Sequence, residues 1–114
     1  MKLETLGASK RTHTCGELRA GNAGESVVLM GWVHRRRDLG GLLFVDLRDR
    51  YGTTQIVFHP EIDRALSDAA GELGAEYVIA VEGEAGTRPE GTVNREMPTG
   101  EVEVTVKSMR VLND

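Results

Sequence analysis

From Leu42 to Phe58 two runs of strand character, rich in apolar residues, are broken by one polar turn. In the first run Leu43, Val45 and Leu47 fall on one side, and Leu42, Phe44, Asp46 and Arg48 on the other, because side chains along a strand alternate with period two. In the second, Thr54, Ile56 and Phe58 oppose Thr53, Gln55 and Val57. A turn over Asp49–Gly52 pairs Arg48 with Thr53 and Asp46 with Gln55, which makes Phe44 a diagonal neighbour of Gln55 on the polar side. Upstream, Ser26–Arg37 reads as a longer strand that buries Val27, Val28, Leu29 and Met30. Gly31 inside it is expected at a bulge or sharp bend, and Trp32 to pack near a barrel end. Leu39-Gly40-Gly41 turns this strand into the next.

After Phe58 the period changes. Ile62, Ala65, Leu66, Ala69 and Leu73 recur at intervals of three and four, which predicts a helix with one apolar face. Pro60 suits its first position and Gly74 its C-terminal cap. Strand pattern returns over Glu76–Ala85. Thr87–Pro98 reads as a long polar loop, and Glu101–Leu112 as a last strand with Val102, Val104 and Val106 inward and Glu101, Glu103, Thr105 and Lys107 outward. Before the first strand, residues 1–13 form a polar lead-in. Thr14-Cys15-Gly16-Glu17 has the capping-box spacing and predicts a short helical turn over Cys15–Arg19, closed by the loop Gly21–Gly24. Three strands, a helix and two strands is the order of the five-stranded Greek-key β-barrel with its helix between strands three and four, the OB-fold. The expected class is therefore all-β with one helix, the barrel occupying residues 14–114.

Composition narrows the setting. A chain of 114 residues with 39% hydrophobic and 28% charged residues is long enough for one modest core and is not disordered. No apolar stretch has the length of a membrane span or the form of a signal peptide, so a cytoplasmic protein is expected. The single Cys15 forms no internal disulfide, and the three histidines show no zinc spacing. The net charge of −4 argues against a general coat protein for nucleic acid. Local sign matters more, because charges are screened beyond about 8 Å at physiological salt. His34–Arg50 holds five arginines against three aspartates, whereas acidic residues accumulate over Glu61–Glu90.

The polar side of the first two alternating runs carries the chemistry. An exposed ring at Phe44 stacks a base, an amide at Gln55 reads a base edge, and arginines hold phosphate. Within Arg35-Arg36-Arg37, alternation places Arg35 and Arg37 on one face and Arg36 on the other, so only part of the run serves one ligand. Asp46 and Asp49 flank arginines and are expected to orient them. No carboxylate pair, nucleophile–base pair or glycine-rich phosphate loop stands out, so no catalytic, metal or cofactor site is expected within the chain. A sequence-tolerant single-strand binder would need more rings than 4% aromatic content supplies. A protein-interaction OB module, docking a peptide on the Phe44 face, is the other rival.

The tract Gly31–Gly40, GWVHRRRDLG, followed by Leu43–Arg50, LFVDLRDR, and Gln55, closely resembles the N-terminal anticodon-binding domain of bacterial aspartyl-tRNA synthetases. A second tract, VNREMPTGEVEV over Val93–Val104, is similar to the same family. The likeness runs from His13 to Asn113. Asparaginyl and lysyl enzymes share the barrel and a similar first strand, but the arginine triplet and the second tract look aspartyl and bacterial. The resemblance implies that Phe44 stacks on the central anticodon base, a uracil, while Gln55 hydrogen-bonds its edge. It places Arg37 on the third base, a cytosine, and Glu103 on the first, a guanine. Arg35, Arg88 and Asn94 would make backbone or flanking contacts. Gly91 stands where a basic residue occurs in some members. The resemblance further implies a longer dimeric class II synthetase, acting on aspartate tRNA with ATP and magnesium at a catalytic domain absent from this chain.

Overall fold

The computed structural model describes residues 11–89 and 91–113; Met1–Lys10 of the lead-in, Glu90 and Asp114 lie outside them. Five strands, β1 (Ser26–Leu39), β2 (Leu42–Asp49), β3 (Gly52–Phe58), β4 (Val78–Thr87) and β5 (Val102–Asn113), close into a barrel in the order β1-β2-β3-β5-β4. One helix, α1 (Arg64–Ala70), lies between β3 and β4. The OB-fold is therefore the observed architecture. All neighbouring strands are antiparallel except β3 and β5, which meet in parallel at Ile56–Val104 and Val57–Thr105.

The inward positions fill the barrel as their alternation dictates. Val27, Leu29 and Val33 of β1, Leu43, Val45 and Leu47 of β2, Ile56 and Phe58 of β3, and Val102, Val104 and Val106 of β5 form one core with Ile79 and Val81. Each full burial of such a side chain stabilises the fold by about 1.5–3 kcal/mol. The β2–β3 register is the expected one: Arg48 faces Thr53 and Asp46 faces Gln55.

β1 is shared between two partners. Ser26–Trp32 pairs with β4 and Trp32–Leu39 with β2. The bulge lies between Val33 and Arg35, at His34, and not at Gly31. Gly31 pairs regularly with Ile79; a Cβ there would stand 2.4 Å from the Arg48 carbonyl oxygen. It serves close backbone approach rather than a bulge. Met30 and Trp32 are half-buried, so Met30 is not the core residue expected.

The helix begins later than expected and is shorter. Asp63 accepts the Leu66 N–H at 2.9 Å and is the N-cap, while Pro60 sits in a turn closed by bonds from the Ile62 and Asp63 N–H groups to the His59 carbonyl. A carboxylate that satisfies an orphan N–H outweighs a proline that merely fits. Ile62 is 59% exposed and Ala65 and Ala69 are exposed; Leu66, Ala70 and Leu73 carry the packing. The C-cap is Gly71 rather than Gly74. Around Thr14 the Glu17 carboxylate accepts the Thr14 N–H at 2.7 Å, which holds its pKa below the ordinary value. That segment is a turn, however, and the helical element is a 3₁₀ turn at Ala20–Asn22. β4 starts at Val78 because Glu76 has φ 74°, outside the extended region, and the loop after it starts at Arg88 because Thr87 is still in the strand. β5 runs one residue later at both ends than expected. Among the described residues no helix is long and apolar enough to cross a membrane.

Candidate nucleic-acid interface

The outward face of β1, β2 and β3 collects the polar chain. Pairing sets Arg37 opposite Phe44, and Arg35 opposite Asp46, which in turn faces Gln55. The Arg37 guanidinium donates from Nη2 to Gln55 Oε1 at 2.9 Å, lies 3.5 Å from Asp46 Oδ1, and stands 5.9 Å from the Phe44 ring centroid. Gln55 Nε2 donates to Glu103 Oε1 at 3.2 Å. Asp46, Arg37, Gln55 and Glu103 thus form one charge-assisted chain across β1, β2, β3 and β5. The amide orientation follows from its neighbours: its oxygen can meet only a donor and its nitrogen only an acceptor. Asp46 orients an arginine as expected. Asp49 does not; its carboxylate accepts the N–H groups of Cys15, Tyr51 and Gly52.

Phe44 is half-buried and stands outside the core cluster, whereas Gln55 is only 5% exposed. The amide is therefore not the freely solvated group that its place on the polar side implies. Its two ends are already held, by a guanidinium and a carboxylate.

Arg88 closes the same site from the end of β4. It is 9% exposed, with Nε donating to the Val102 carbonyl at 3.0 Å and Nη1 to the Thr92 carbonyl at 3.3 Å. Burial pushes its pKa below the ordinary guanidinium value; Asp46 and Glu103 nearby oppose that shift. Arg88 Nη2 and Arg37 Nε are the buried side-chain polar atoms without a hydrogen-bond partner among the described residues. A buried unsatisfied donor costs about 1–3 kcal/mol, so two of them in one place create a demand for acceptors. Arg37, Leu39, Phe44, Gln55, Arg88 and Thr92 enclose a pocket of about 260 Å³. Beside it, a pocket of about 120 Å³ shares Phe44, Gln55 and Thr92 and is completed by Val57, His59 and Glu103 among others. Together the two offer a ring face, an amide, a carboxylate and unsatisfied guanidinium donors, the groups that recognise an unstacked base.

Five of the seven expected site residues meet here: Arg37, Phe44, Gln55, Arg88 and Glu103. Two do not line either pocket. Arg35 is exposed on the adjoining surface, and Asn94 is exposed in the β4–β5 loop, where its Oδ1 accepts the Glu96 N–H at 3.0 Å. The burial of Arg88 had no sequence signal, since the surrounding Thr87–Pro89 stretch is polar. Thr92 and His59 carried none either. A larger groove, of about 560 Å³, lies on another face between β1, β4 and β5; it is lined by Glu82, Glu84 and Lys107, the lysine being paired with Glu84, and carries no free cation for phosphate among the described residues that line it.

Residues 27–112 match the family model of the tRNA anticodon type, an OB-fold nucleic acid binding domain. The aspartate–tRNA(Asp/Asn) ligase of Rubrobacter xylanophilus is 61% identical over 103 residues, covering 90% of this chain and 17% of the relative. That of Geotalea uraniireducens is 54% identical over 111 residues, covering 97% of this chain and 19% of the relative. The chain therefore spans less than a fifth of the length of these relatives. Among solved structures, asparaginyl-tRNA synthetase from Pyrococcus horikoshii, complexed with asparaginyl-adenylate, superposes with a TM-score of 0.75 at 26% identity, over 91% of this chain and 22% of that one. Aspartyl-tRNA synthetase from Entamoeba histolytica shares the fold at a TM-score of 0.80 and 21% identity, over 93% of this chain and 22% of that one. With its barrel, its base-sized pocket and these relatives, the chain belongs to the tRNA anticodon family of OB-fold nucleic acid binding domains.

Proposed function

We propose that this domain reads the anticodon loop of aspartate tRNA on behalf of a longer class II aminoacyl-tRNA synthetase. The observation that carries the reading is the Arg37–Gln55–Glu103 chain lying beside the Phe44 ring, with two unsatisfied guanidinium donors in the same pocket. Phe44 stacks the central base and Gln55 reads its edge. Arg37 donates to the third base. Glu103 accepts from the N1–H and exocyclic amine of a guanine at the first position, a pattern that suits a carboxylate. Arg88, fixed by two carbonyls, presents its free Nη2 to a base or sugar acceptor. Binding exchanges the internal partners of Gln55 and Glu103 for base atoms, so the free domain holds the reading groups in place before RNA arrives. Arg35 and Asn94 act outside the pocket, on backbone or flanking nucleotides. The longer protein, cytoplasmic and dimeric, attaches aspartate with ATP and magnesium in a region beyond this chain.

The test is titration of the 114-residue chain with an anticodon stem-loop carrying uracil, and then each other base, at the central position. The expected result is a preference for uracil that disappears in Gln55→Ala. Equal binding of all four loops by the unaltered domain would overturn the reading.

A further inference from the structure

Beyond the pocket, the outward face of β1 and β2 continues as a row of arginines that the base-reading site does not use. Arg35 and Arg48 are exposed and, among the described residues, make no side-chain hydrogen bond or ion pair. Arg48 lies between Trp32 and Thr53, two positions along β2 from Asp46. Arg50 follows at the β2–β3 turn. Successive outward positions of a strand are about 7 Å apart, similar to the interval between phosphates along an RNA strand. At the far end Tyr51 is 57% exposed, with the Arg11 and Arg50 guanidinium groups 5.9 and 6.0 Å from its ring centroid.

At this end of the face the charge of Arg11 is partly met by the nearby Glu17 carboxylate, whereas Asp49 is buried and its oxygens are taken by three backbone N–H groups. Those bonds fix the turn that projects Arg50 and Tyr51. Gly16 and Gly52 press the Cys15–Gly16 segment onto that turn, since a Cβ at Gly16 would stand 2.1 Å from the Tyr51 carbonyl oxygen. Asp46 is engaged with Arg37. Arg35 and Arg48 therefore keep their guanidinium donors free to meet an anion.

We propose that Arg35, Arg48 and Arg50, with Arg11 and Tyr51 at the far end, form a phosphate track for the backbone of the RNA helix adjoining the loop whose bases enter the pocket. The inference rests on the proposed reading of the pocket. The arginines hold phosphate oxygens, and the Tyr51 hydroxyl and ring meet the sugar edge. The track carries no base information, because phosphate contacts position without specifying.

The experiment compares Arg48→Gln/Arg50→Gln with the unaltered chain against two RNAs: an anticodon stem-loop, and the single-stranded loop sequence alone. Thermal melting controls for folding, and both side chains are exposed, so the melting temperature is expected to stay unchanged. The double variant is expected to bind the stem-loop about three- to thirtyfold more weakly, with a log–log salt slope smaller by about 1–2. Its affinity for the loop alone and its preference for central uracil stay as they were. An unchanged stem-loop affinity and salt slope overturns the track, and leaves the Tyr51 face to a protein contact. Equal losses for stem-loop and loop alone overturn it too, since the arginines would then serve the loop. Loss of uracil preference in the unaltered chain is a separate failure, of the pocket reading, and is scored by the central-base series.

Discussion

Phe44 and Phe58 are both aromatic residues of the β2–β3 pair, and their fates differ by facing alone. Phe58 is fully buried in the core, whereas Phe44 rims the pocket. A base stacked on a ring is worth about 1–3 kcal/mol by alanine substitution. Phe44→Ala is therefore expected to weaken stem-loop binding about ten- to a hundredfold while costing far less stability than the roughly 3–5 kcal/mol of a core Phe→Ala change. Phe44→Tyr keeps the ring and is expected to bind nearly as the unaltered chain does. Urea unfolding beside RNA titration separates the two effects; a strong loss of stability with undiminished affinity would place the ring in the core. Gln55 behaves differently because it is buried between Arg37 and Glu103. Gln55→Ala leaves both partners short of a bond, so a stability loss of about 1–3 kcal/mol accompanies the lost base preference. Cys15 is chemically quiet. Burial, and then the charge of Asp49 beside it, push its thiol far above the ordinary range, and only the thiolate is a nucleophile. At neutral pH a thiol reagent is expected to modify Cys15 at the rate of unfolding, so that denaturant raises that rate steeply; rapid labelling of the folded chain would contradict the burial.

At the scale of elements, the arginine triplet divides its labour. Arg36 lies opposite Val45 in the ladder and reaches over the barrel end, where its Nη1 donates to the carbonyls of Gly71 and Leu73 just after α1. It satisfies the carbonyl of the C-cap Gly71 and that of Leu73 in the segment beyond the helix. Arg37, on the other face, belongs to the pocket. Arg36→Ala is expected to lose about 0.5–1.5 kcal/mol of stability with base binding intact, and Arg37→Ala to lose binding together with stability, since Gln55 and Asp46 lose their donor. Equal effects of the two on RNA affinity would show that the triplet has no defined facing. This division was legible in the sequence, because consecutive residues of a strand face opposite ways. The helix start was not. Pro60 satisfies a local rule, but Asp63 makes the actual bond, and one sequence offers both signals. The bulge at His34 was hidden for a related reason: Gly31 is the residue that looks like an irregularity, whereas its small size answers the Arg48 carbonyl across the ladder. Within the site, Phe44 and Gln55 stood out by pattern. Arg88 came only through resemblance, because nothing local foretells that β5 and the loop will bury it.

The molecule as a whole is a closed wall, and closure constrains it at points remote from RNA. β4 is wedged between β1 and β5, and its pairing with β5 shifts register between Glu82 and Gly83. Gly83 faces Val27 on one side and Val106 on the other, and a Cβ there would stand 2.1 Å from the Thr105 carbonyl oxygen. The obstacle is backbone, held by the ladder, so it cannot swing aside as a side-chain tip would. Gly83→Ala must push β4 from β5 or break ladder bonds, and overpacking of this kind costs about 1–3 kcal/mol. The pocket is built on β1, β2 and β3 and is closed by Arg88 and Thr92 after β4 and by Glu103 of β5, at the Thr87–Val102 end of the β4–β5 ladder and several pairs away from Gly83. Gly83→Ala is therefore expected to lower the urea midpoint without altering the unfolding slope, and to leave the preference for central uracil unchanged in the folded fraction. Gly86→Ala, with open space around its Cβ position, is the control on the same strand. Equal stability of the two variants would show that β4 and β5 are not in the close backbone contact described; a lost uracil preference in Gly83→Ala would show that the barrel transmits strain from its closure to the reading face.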